Sequence, residues 1–320
     1  MGNKSKLIDD LKFYFPDKQE CDTFIDLFGG SGCVSLNVDY DNIIYNELNT
    51  NMVELLNLFK IYTVEEIVGH IKGRIVEFDL PDESTYDRRK NKDLQKEKGK
   101  CYNNFRDFYN KSNKDKLDLY TLTFFSFCNL IRFNSKNEFN MPFGNQYFTN
   151  ENIMDIALAC DKFKKSNIIL QNKNAFEVLS EITEERNGLF VYLDPPYSNT
   201  TAIYNEQSAF GGWTIEDDNK LFAELDRVSK LGVKWALSNV LENKGKTNEH
   251  IEQWAIKNDY KIIDLDRNYS SKYYDNYADL TVPIPNNKGR LALGHSFVRY
   301  KTGSYTNGYN IFRFGYTFPC

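Results

Sequence analysis

The stretch CDTFIDLFGGSG, residues 21–32, decides the fold prediction. A short apolar segment runs into a glycine-rich turn, which is typical of a buried strand that ends where a ligand approaches the backbone. We predict a helix from about Cys33 and a second strand in DNIIYNELN, residues 41–49. A strand, a glycine-rich turn, a helix and a second strand form a βαβ unit.

A carboxylate follows the glycine-rich turn at the spacing expected of a ribose ligand. Glu47 stands about 20 residues after the glycines, at the end of the second predicted strand. This spacing indicates a nucleoside-containing cofactor, but it does not separate a dinucleotide from S-adenosylmethionine. No Gly-Lys-Ser or Gly-Lys-Thr follows, which disfavours a nucleoside-triphosphate loop. A tight turn beside an ordinary surface Glu is the alternative.

A later strand end carries residues suited to chemistry. The tetrapeptide DPPY, residues 194–197, follows the apolar run LFVYL. Its two prolines end the strand and hold Asp194 and Tyr197 side by side. A carboxylate and a free prolyl carbonyl accept hydrogen bonds from an amino group, and an aromatic ring stacks on a flat heterocycle. The motif therefore favours a planar base with an exocyclic amino group over a merely rigid turn.

Composition limits the class of protein. The 320 residues carry a formal net charge of −5 and are 41% hydrophobic, which excludes wholesale disorder. No apolar run approaches the roughly 20 residues that a membrane helix needs, so we expect a soluble, cytoplasmic protein without membrane contact. Six cysteines and three histidines show no metal-ligand spacing, so we expect no metal and no disulfide framework.

The chain is expected to form a discontinuous α/β domain interrupted by an insert. The strings NIIL, LFVYL and VKWALSNV predict buried strands, and DDNKLFAELDRVSKLG predicts a helix that ends at Gly232. In the middle of the chain, the charge run between Arg88 and Lys100 is typical of a solvated face rather than a DNA contact. The aromatics that follow are expected in the core rather than stacked on bases; they are Phe124, Phe125, Phe127 and Phe133.

These residues together resemble a known family. Asp26–Gly32 and DPPY are similar to motifs I and IV of the S-adenosylmethionine-dependent DNA adenine-N6 methyltransferases, with an insert between them as in the Dam-type (alpha) group. The N-terminal GNK and LKFYFP are similar to motif X, and FSFCNLIRFNSKNEFNMPFG to the target-recognition segment. VKWALSNVLENKGK is similar to a later strand and loop of the T-even-phage Dam enzymes. The resemblance covers about residues 1–60 and 100–275, and about 276–310 reads as an insertion.

The resemblance implies an α/β fold with a Rossmann-like methyltransferase sheet, residues 1–62 and 163–320, and an inserted, mostly helical target-recognition domain, residues 63–162. It implies methyl transfer from S-adenosyl-L-methionine to an adenine flipped out of double-stranded DNA at a specific site, GATC or a variant of it. The implied catalytic residues are Asp194, Pro195, Pro196 and Tyr197. The implied cofactor-binding residues are Lys4, Asp26, Phe28, Gly29, Gly30, Ser31, Glu47, Phe176 and Asp194. The implied DNA-binding residues are Arg132, Asn134, Pro142, Phe143, Gly144, Asn145 and Gln146.

Two departures from the family pattern bear on specificity. The acid that often precedes the adenine-contacting aromatic is replaced by Ala175, so recognition of the adenine edge falls to the backbone or to Asn174. The basic residue that usually follows Pro-Phe-Gly is replaced by Asn145 and Gln146, which suit adenine rather than guanine and put GATC in doubt.

Other functions stay open at this point. The same pocket could serve RNA or another amino-bearing substrate, although an Asp at position 194 favours DNA, and an inactive DNA-binding homologue is the third class. A restriction endonuclease partner and the oligomeric state are not decided by these residues.

Overall fold

The computed structural model describes residues 4, 7–83, 92–185, 188–197, 212–239, 242–243, 246–266 and 296–301. A seven-stranded sheet has the order β3-β2-β1-β4-β5-β9-β8, and each of its neighbouring strand pairs is parallel. Its strands are β1 (Thr23–Asp26), β2 (Asn42–Asn46), β3 (Asn167–Gln171), β4 (Leu189–Leu193), β5 (Lys234–Asn239), β8 (Lys261–Asp266) and β9 (Ser296–Lys301). Two short strands, β6 (Glu242–Asn243) and β7 (Lys246–Thr247), form a separate antiparallel pair. The α/β fold class, with a central parallel sheet, is therefore confirmed.

The centre of the sheet is apolar because both of its faces are covered. All five residues of β4 are buried, as expected of a parallel strand with packing on both sides. Alternate side chains enter two different cores. Phe190 and Tyr192 pack with Phe24 on one face, while Val191 and Leu193 pack on the other.

Helices cover the sheet and fill the long connection between β2 and β3. They are α1 (Ile8–Tyr14), α2 (Thr50–Ile61), α3 (Val64–Phe78), α4 (Lys92–Lys111), α5 (Lys116–Phe125), α6 (Asn150–Lys165), α7 (Ala175–Ser180), α8 (Ile215–Lys230) and α9 (Glu249–Lys257). Reciprocal capping bonds fix the starts of three of these helices, at Thr63, Thr149 and Thr214. The helix predicted to end at Gly232 is α8.

The helices between β2 and β3 share a hydrophobic core with one face of the sheet. Leu117–Phe125 of α5 is buried throughout, and Leu122 belongs to the same packed cluster as Phe24 of β1. A buried carboxylate within this region, Asp118, accepts hydrogen bonds from His70 and Arg74 of α3. The mostly helical character predicted for this insert is visible, while the domain boundaries at residues 62 and 163 remain predictions.

One predicted helix is wrong. Residues 33–38 form hydrogen-bonded turns, with Leu36 N–H donating to the Gly32 carbonyl and Val38 N–H to that of Val34. These two i→i−4 bonds are not consecutive, so the segment does not form a regular helix. The buried side chains of Val34 and Leu36 instead pack directly against the core.

Several predictions fall partly or wholly outside the described residues. The charge run is described only from Lys92 onward, where it forms the start of α4. Of the segment 276–310, only β9 is described, and it lies between β5 and β8. No helix in the described part of the chain is long and apolar enough to cross a membrane. Across those same residues, no three His, Cys, Asp or Glu side chains come together as a metal site would require.

Candidate functional site

Three carboxylates meet at one edge of the sheet. Asp26 is the last residue of β1, Glu47 follows β2 directly, and Asp194 follows β4. The register pairs Asp26 with Tyr45 on one side and with Tyr192 on the other. Parallel strands bring their carboxyl ends to the same edge, which is where open α/β sheets bind ligands.

The glycine-rich turn leaves no room for side chains at two positions. A Cβ on Gly29 would lie 2.2 Å from the ring of Tyr45, and one on Gly32 would lie 2.8 Å from Leu56. Gly32 also has a φ of 74°, a backbone conformation that side chains rarely adopt. The hydroxyl of the buried Tyr45 donates to the Gly30 carbonyl at 2.6 Å, and this hydrogen bond stabilises the turn.

Glu47 is fixed by backbone donors. Its Oε2 accepts from the Gly30 N–H at 2.9 Å, and its Oε1 accepts from the Asn49 N–H at 2.8 Å. Burial raises the pKa of this carboxyl, and the backbone hydrogen bonds oppose the rise. The residue predicted to bind ribose thus ties the glycine-rich turn to the end of β2.

Asp26 is almost fully buried, with 1% of its surface exposed. Its Oδ2 accepts from both the hydroxyl of Ser35, at 2.7 Å, and the Ser35 N–H, at 3.2 Å. Burial raises the pKa of Asp26 to about 7; the bonds from Ser35 lower it, and the negative charges of Asp194 and Glu47 add to the rise. A cation placed here would relieve this cost, because it favours the ionised carboxylate.

A compact triangle joins the N-terminus to the DPPY motif. The Lys4 ammonium lies 2.9 Å from Asp194 Oδ1 and donates to the Tyr197 hydroxyl at 2.9 Å. That hydroxyl donates in turn to Asp194 Oδ1 at 2.8 Å. Lys4 is buried and Asp194 is half-buried, so the ion pair is shielded from water. Both contacts go to Oδ1, and among the described residues Oδ2 is the oxygen left for another donor.

An apolar wall flanks these polar groups. Phe176 of α7 and Phe28 of the glycine-rich turn are half-buried, and Trp213 touches both rings. The apolar side chain of Leu48, directly after Glu47, is 41% exposed on the same edge of the sheet. Aromatic rings beside a carboxylate that could bind ribose form a surface on which an adenine ring could pack.

The carboxylates and the glycine-rich turn are compatible with a cationic, nucleoside-bearing cofactor. Asp26 and Glu47 could accept hydrogen bonds from an ammonium group and from ribose hydroxyls, and the closely packed glycines would let the backbone approach such a ligand. Lys4, predicted at the methionine part of such a cofactor, contacts Asp194 and Tyr197 in this structure. Pro195 is buried and Pro196 exposed, and Ser31 is buried at the turn.

The segment that resembles a target-recognition module forms a short hairpin. Phe133 bridges Phe139, and the Asn140 N–H donates to the Arg132 carbonyl. Arg132 is exposed, and its guanidinium donates to the side chain and carbonyl of Asn140. The Asn134 side chain is engaged within the turn, where it accepts from two backbone N–H groups and donates to Glu138. The structure therefore gives both predicted DNA-binding residues a role in shaping the hairpin.

The Pro-Phe-Gly turn packs against the end of α5. The Phe127 N–H donates to the Pro142 carbonyl at 2.8 Å, and the Gly144 N–H donates to the Phe125 carbonyl at 2.8 Å. A Cβ on Gly144 would lie 2.3 Å from the Ser126 carbonyl oxygen. Phe143 packs on Tyr102, and Asn145 and Gln146 are half-buried immediately after this turn.

The expectation for the aromatics holds in part. Phe124 and Phe125 are buried, as predicted, and Phe133 is half-buried against Phe139. Phe127 is 42% exposed, so its prediction as a core residue is wrong. The next two residues, Cys128 and Asn129, both have positive φ, and this turn leaves the Phe127 ring at the surface.

Sequence reasoning missed several residues that shape the site. Ser35 and Tyr45 act through buried hydrogen bonds that no motif announces. Trp213 and Lys220 lie near Phe176 only because α8 folds back against α7.

Comparison with known proteins identifies the family that the chain resembles. The family model described as D12 class N6 adenine-specific DNA methyltransferase matches residues 1–271. The type II methyltransferase M.FokI of Planomicrobium okeanokoites is 36% identical over 278 residues, which is 86% of this chain and 40% of that protein. The modification methylase StsI of Streptococcus sanguinis is 32% identical over 277 residues, 86% of this chain and 40% of the relative.

A shorter relative matches over a similar share of both chains. The DNA adenine methylase of Escherichia coli (strain K12) is 28% identical over 211 residues, 64% of this chain and 65% of that protein. The chain thus spans about two fifths of the length of M.FokI and StsI and about two thirds of the shorter enzyme.

Proposed function

Because the chain belongs to the D12 class N6 adenine-specific DNA methyltransferases, we propose that it methylates the N6 amino group of an adenine in double-stranded DNA. Membership of this family implies a methyl donor, and we propose S-adenosylmethionine. The observation that carries the proposal is the triangle of Lys4, Asp194 and Tyr197, set beside the glycine-rich turn at the carboxyl ends of β1 and β4.

The role proposed for Asp194 follows from the chemistry of the target. The lone pair of an adenine amino group is delocalised into the ring, so the nitrogen is a poor nucleophile. Asp194 Oδ2 and the Pro195 carbonyl are proposed to accept its two N–H bonds and to draw the nitrogen towards tetrahedral geometry. These hydrogen bonds strengthen as positive charge grows on nitrogen, and they therefore stabilise the transition state more than the ground state.

Lys4 and Tyr197 prepare the carboxylate for this step. Their contacts to Oδ1 fix the orientation of the Asp194 carboxylate. A bound S-adenosylmethionine would supply an electrophilic methyl group, so that an N–C bond would form as the S–C bond breaks. The nitrogen would then lose one proton to Asp194 or to water. Proper alignment of nitrogen and methyl contributes much of the remaining acceleration.

Each proposed cofactor-binding residue is assigned to one part of S-adenosylmethionine. Lys4, Asp26 and the backbone of Phe28–Ser31 are assigned to the methionine part, Glu47 to the ribose and Phe176 to the adenine. Two observations support this division. Burial raises the pKa of Asp26, and a nearby cation would favour its ionised form. Glu47 accepts a hydrogen bond from the Gly30 N–H of the glycine-rich turn.

We further propose that residues 63–162 form the target-recognition domain. The exposed Arg132, the exposed ring of Phe127 and the residues from Pro142 to Gln146 lie on one continuous hairpin and turn. Tyr197 is proposed to stack on the flipped base and so to offset the stacking lost from the duplex. The net charge of −5 requires basic residues to be sorted locally, with binding that weakens steeply as salt increases.

A biological setting is proposed from the relatives. M.FokI is named a type II methyltransferase and StsI a modification methylase, so protection of DNA from a partner restriction endonuclease is the role we propose. Housekeeping methylation is the second candidate, because the name of the Escherichia coli relative is DNA adenine methylase.

The proposal is tested with DNA from cells that express the chain. Liquid chromatography of hydrolysed DNA and RNA is expected to show N6-methyladenine in DNA, and none above background in RNA. An Asp194→Asn variant, which keeps the shape of the side chain but removes its charge, is the matched control and is expected to leave DNA unmodified. Methylation confined to RNA, or absent from both polymers with an intact cofactor site, would contradict the proposal.

A further inference from the structure

The two side chains that precede Phe176 in sequence offer little to an adenine amino group. Ala175, the preceding residue, is buried and has no polar side-chain atom. The Asn174 side chain caps α7, where its Oδ1 accepts from the Phe176 N–H at 2.9 Å. An adenine on Phe176 would therefore find neither side chain ready to accept from its amino group.

A cation lies over the face of the Phe176 ring. The Lys220 ammonium lies 4.1 Å from the centroid of the Phe176 ring. Lys220 is exposed on α8, and within the described residues no carboxylate pairs with its ammonium. A cation–π contact at an exposed site is weak, so the ammonium can leave the ring face at small cost.

Phe176 and Trp213 form an aromatic platform next to Lys220, and hydrogen bonds hold this platform in place. The Trp213 ring is parallel to that of Phe176, with 9° between the planes and 6.1 Å between centroids. The Trp213 indole N–H donates to Asp218 Oδ1 at 2.7 Å, and Asp218 is 1% exposed. His250 of α9 contacts the other oxygen of Asp218 at 3.1 Å, so the platform is tied to two helices.

We propose that Lys220 recognises the edge of the cofactor's adenine by donating a hydrogen bond to a ring nitrogen, while Phe176 and Trp213 hold the ring plane. This inference rests on the proposed function and adds a specificity-determining residue to it. An ammonium has donors and no acceptor, so it pairs with the ring nitrogens of adenine and not with its amino group. The chain would thus tolerate loss of the amino group and discriminate against loss of a ring nitrogen.

Calorimetry with the purified full chain tests this inference without methyl transfer. S-adenosylhomocysteine gives the Kd of each variant. Adenosine, purine riboside and the 1-deaza, 3-deaza and 7-deaza analogues of adenosine then compete for the same site. Lys220→Met keeps an unbranched apolar side chain over Phe176 but removes the donor, and Lys220→Arg restores one. Lys230→Met removes an exposed lysine from the same helix and is the matched control.

The expected results are specific to the adenine edge. Purine riboside should compete with the wild-type chain within about twofold of adenosine, while one deaza analogue should be weaker by about tenfold. Lys220→Met should weaken S-adenosylhomocysteine binding by about tenfold and remove discrimination against that analogue. Lys220→Arg should retain most of both properties, and Lys230→Met should change neither.

Equal or tighter binding by Lys220→Met, or a strong preference of the wild-type chain for adenosine over purine riboside, would overturn the inference. The proposed function would stand in that case, because methylation of DNA is measured separately. A wild-type chain that does not bind S-adenosylhomocysteine would overturn both.

Discussion

Replacing Asp26 by Asn should stabilise the folded protein at alkaline pH. Burial raises the pKa of this carboxyl from its usual 3.8 to about 7, so ionising it in the folded state is costly. At 1.36 kcal/mol for each pH unit, the cost amounts to about 4 kcal/mol once Asp26 is ionised in both states. Asn keeps the size of the side chain and an oxygen that accepts from Ser35, but carries no charge.

The pH dependence separates this effect from changes in packing. Between pH 3.8 and about 7 the folded state binds the proton and the unfolded state does not, so wild-type stability falls as pH rises. The loss is incomplete at pH 5 and complete at pH 8. The difference in free energy of unfolding between Asp26→Asn and wild type should therefore grow by about 3 kcal/mol over that interval.

Urea unfolding at pH 5 and pH 8 measures this difference. Asp9→Asn, which neutralises an exposed carboxylate in α1, is the control and should show little change with pH. An Asp26→Asn variant that differs from wild type by the same amount at both pH values would contradict the raised pKa of Asp26. A wild-type chain that gains stability relative to the variant as pH rises would contradict it as well.

Three further predictions concern other parts of the site. In urea titrations, Gly144→Ala should lower the free energy of unfolding by about 2 kcal/mol or more, because its Cβ would lie 2.3 Å from the Ser126 carbonyl oxygen. Gly73→Ala is the control; a Cβ there meets open space on α3, so the free energy of unfolding should rise by about 0.5–1 kcal/mol. Lys4→Met should slow methyl transfer at least about tenfold, since Asp194 loses the contact that fixes its orientation; an unchanged rate would count against the ion pair's role. Because Asn145 and Gln146 replace the usual basic residue, the methylated site should differ from GATC in a base beside the target adenine. Single-molecule sequencing of plasmid DNA would reveal this site. Methylation strictly at GATC would refute the prediction.

The sequence predicts the sheet well because its signals are local. The apolar strings before Asp26, Glu47 and Asp194 each form a strand, and each acid stands at the carboxyl end. Parallel pairing then brings the three carboxylates together without any further information. The glycines of the turn were readable for the same reason, since close approach and positive φ demand them.

Contacts between distant segments were not predictable in this way. The bond from Lys4 to Tyr197 joins residues 193 positions apart, and no spacing rule announces it. The helix expected after Cys33 is wrong because residues 33–38 form turns that bury Val34 and Leu36 in the core. Phe127 was misjudged because two successive positive-φ residues, neither of them glycine, turn its ring outward. Tertiary packing, rather than residue type, decides such positions.

The most direct test of the account is single-turnover methyl transfer by Asp194→Ala. Transfer of a tritiated methyl group to duplex DNA should fall below detection, because no carboxylate remains to accept from the adenine amino group. Calorimetry on the same variant should still detect S-adenosylhomocysteine, with a Kd within about tenfold of wild type, since Glu47, Phe176 and the glycine-rich turn are intact. Retained methyl transfer by Asp194→Ala would contradict the proposed role of Asp194 and the mechanism built on it.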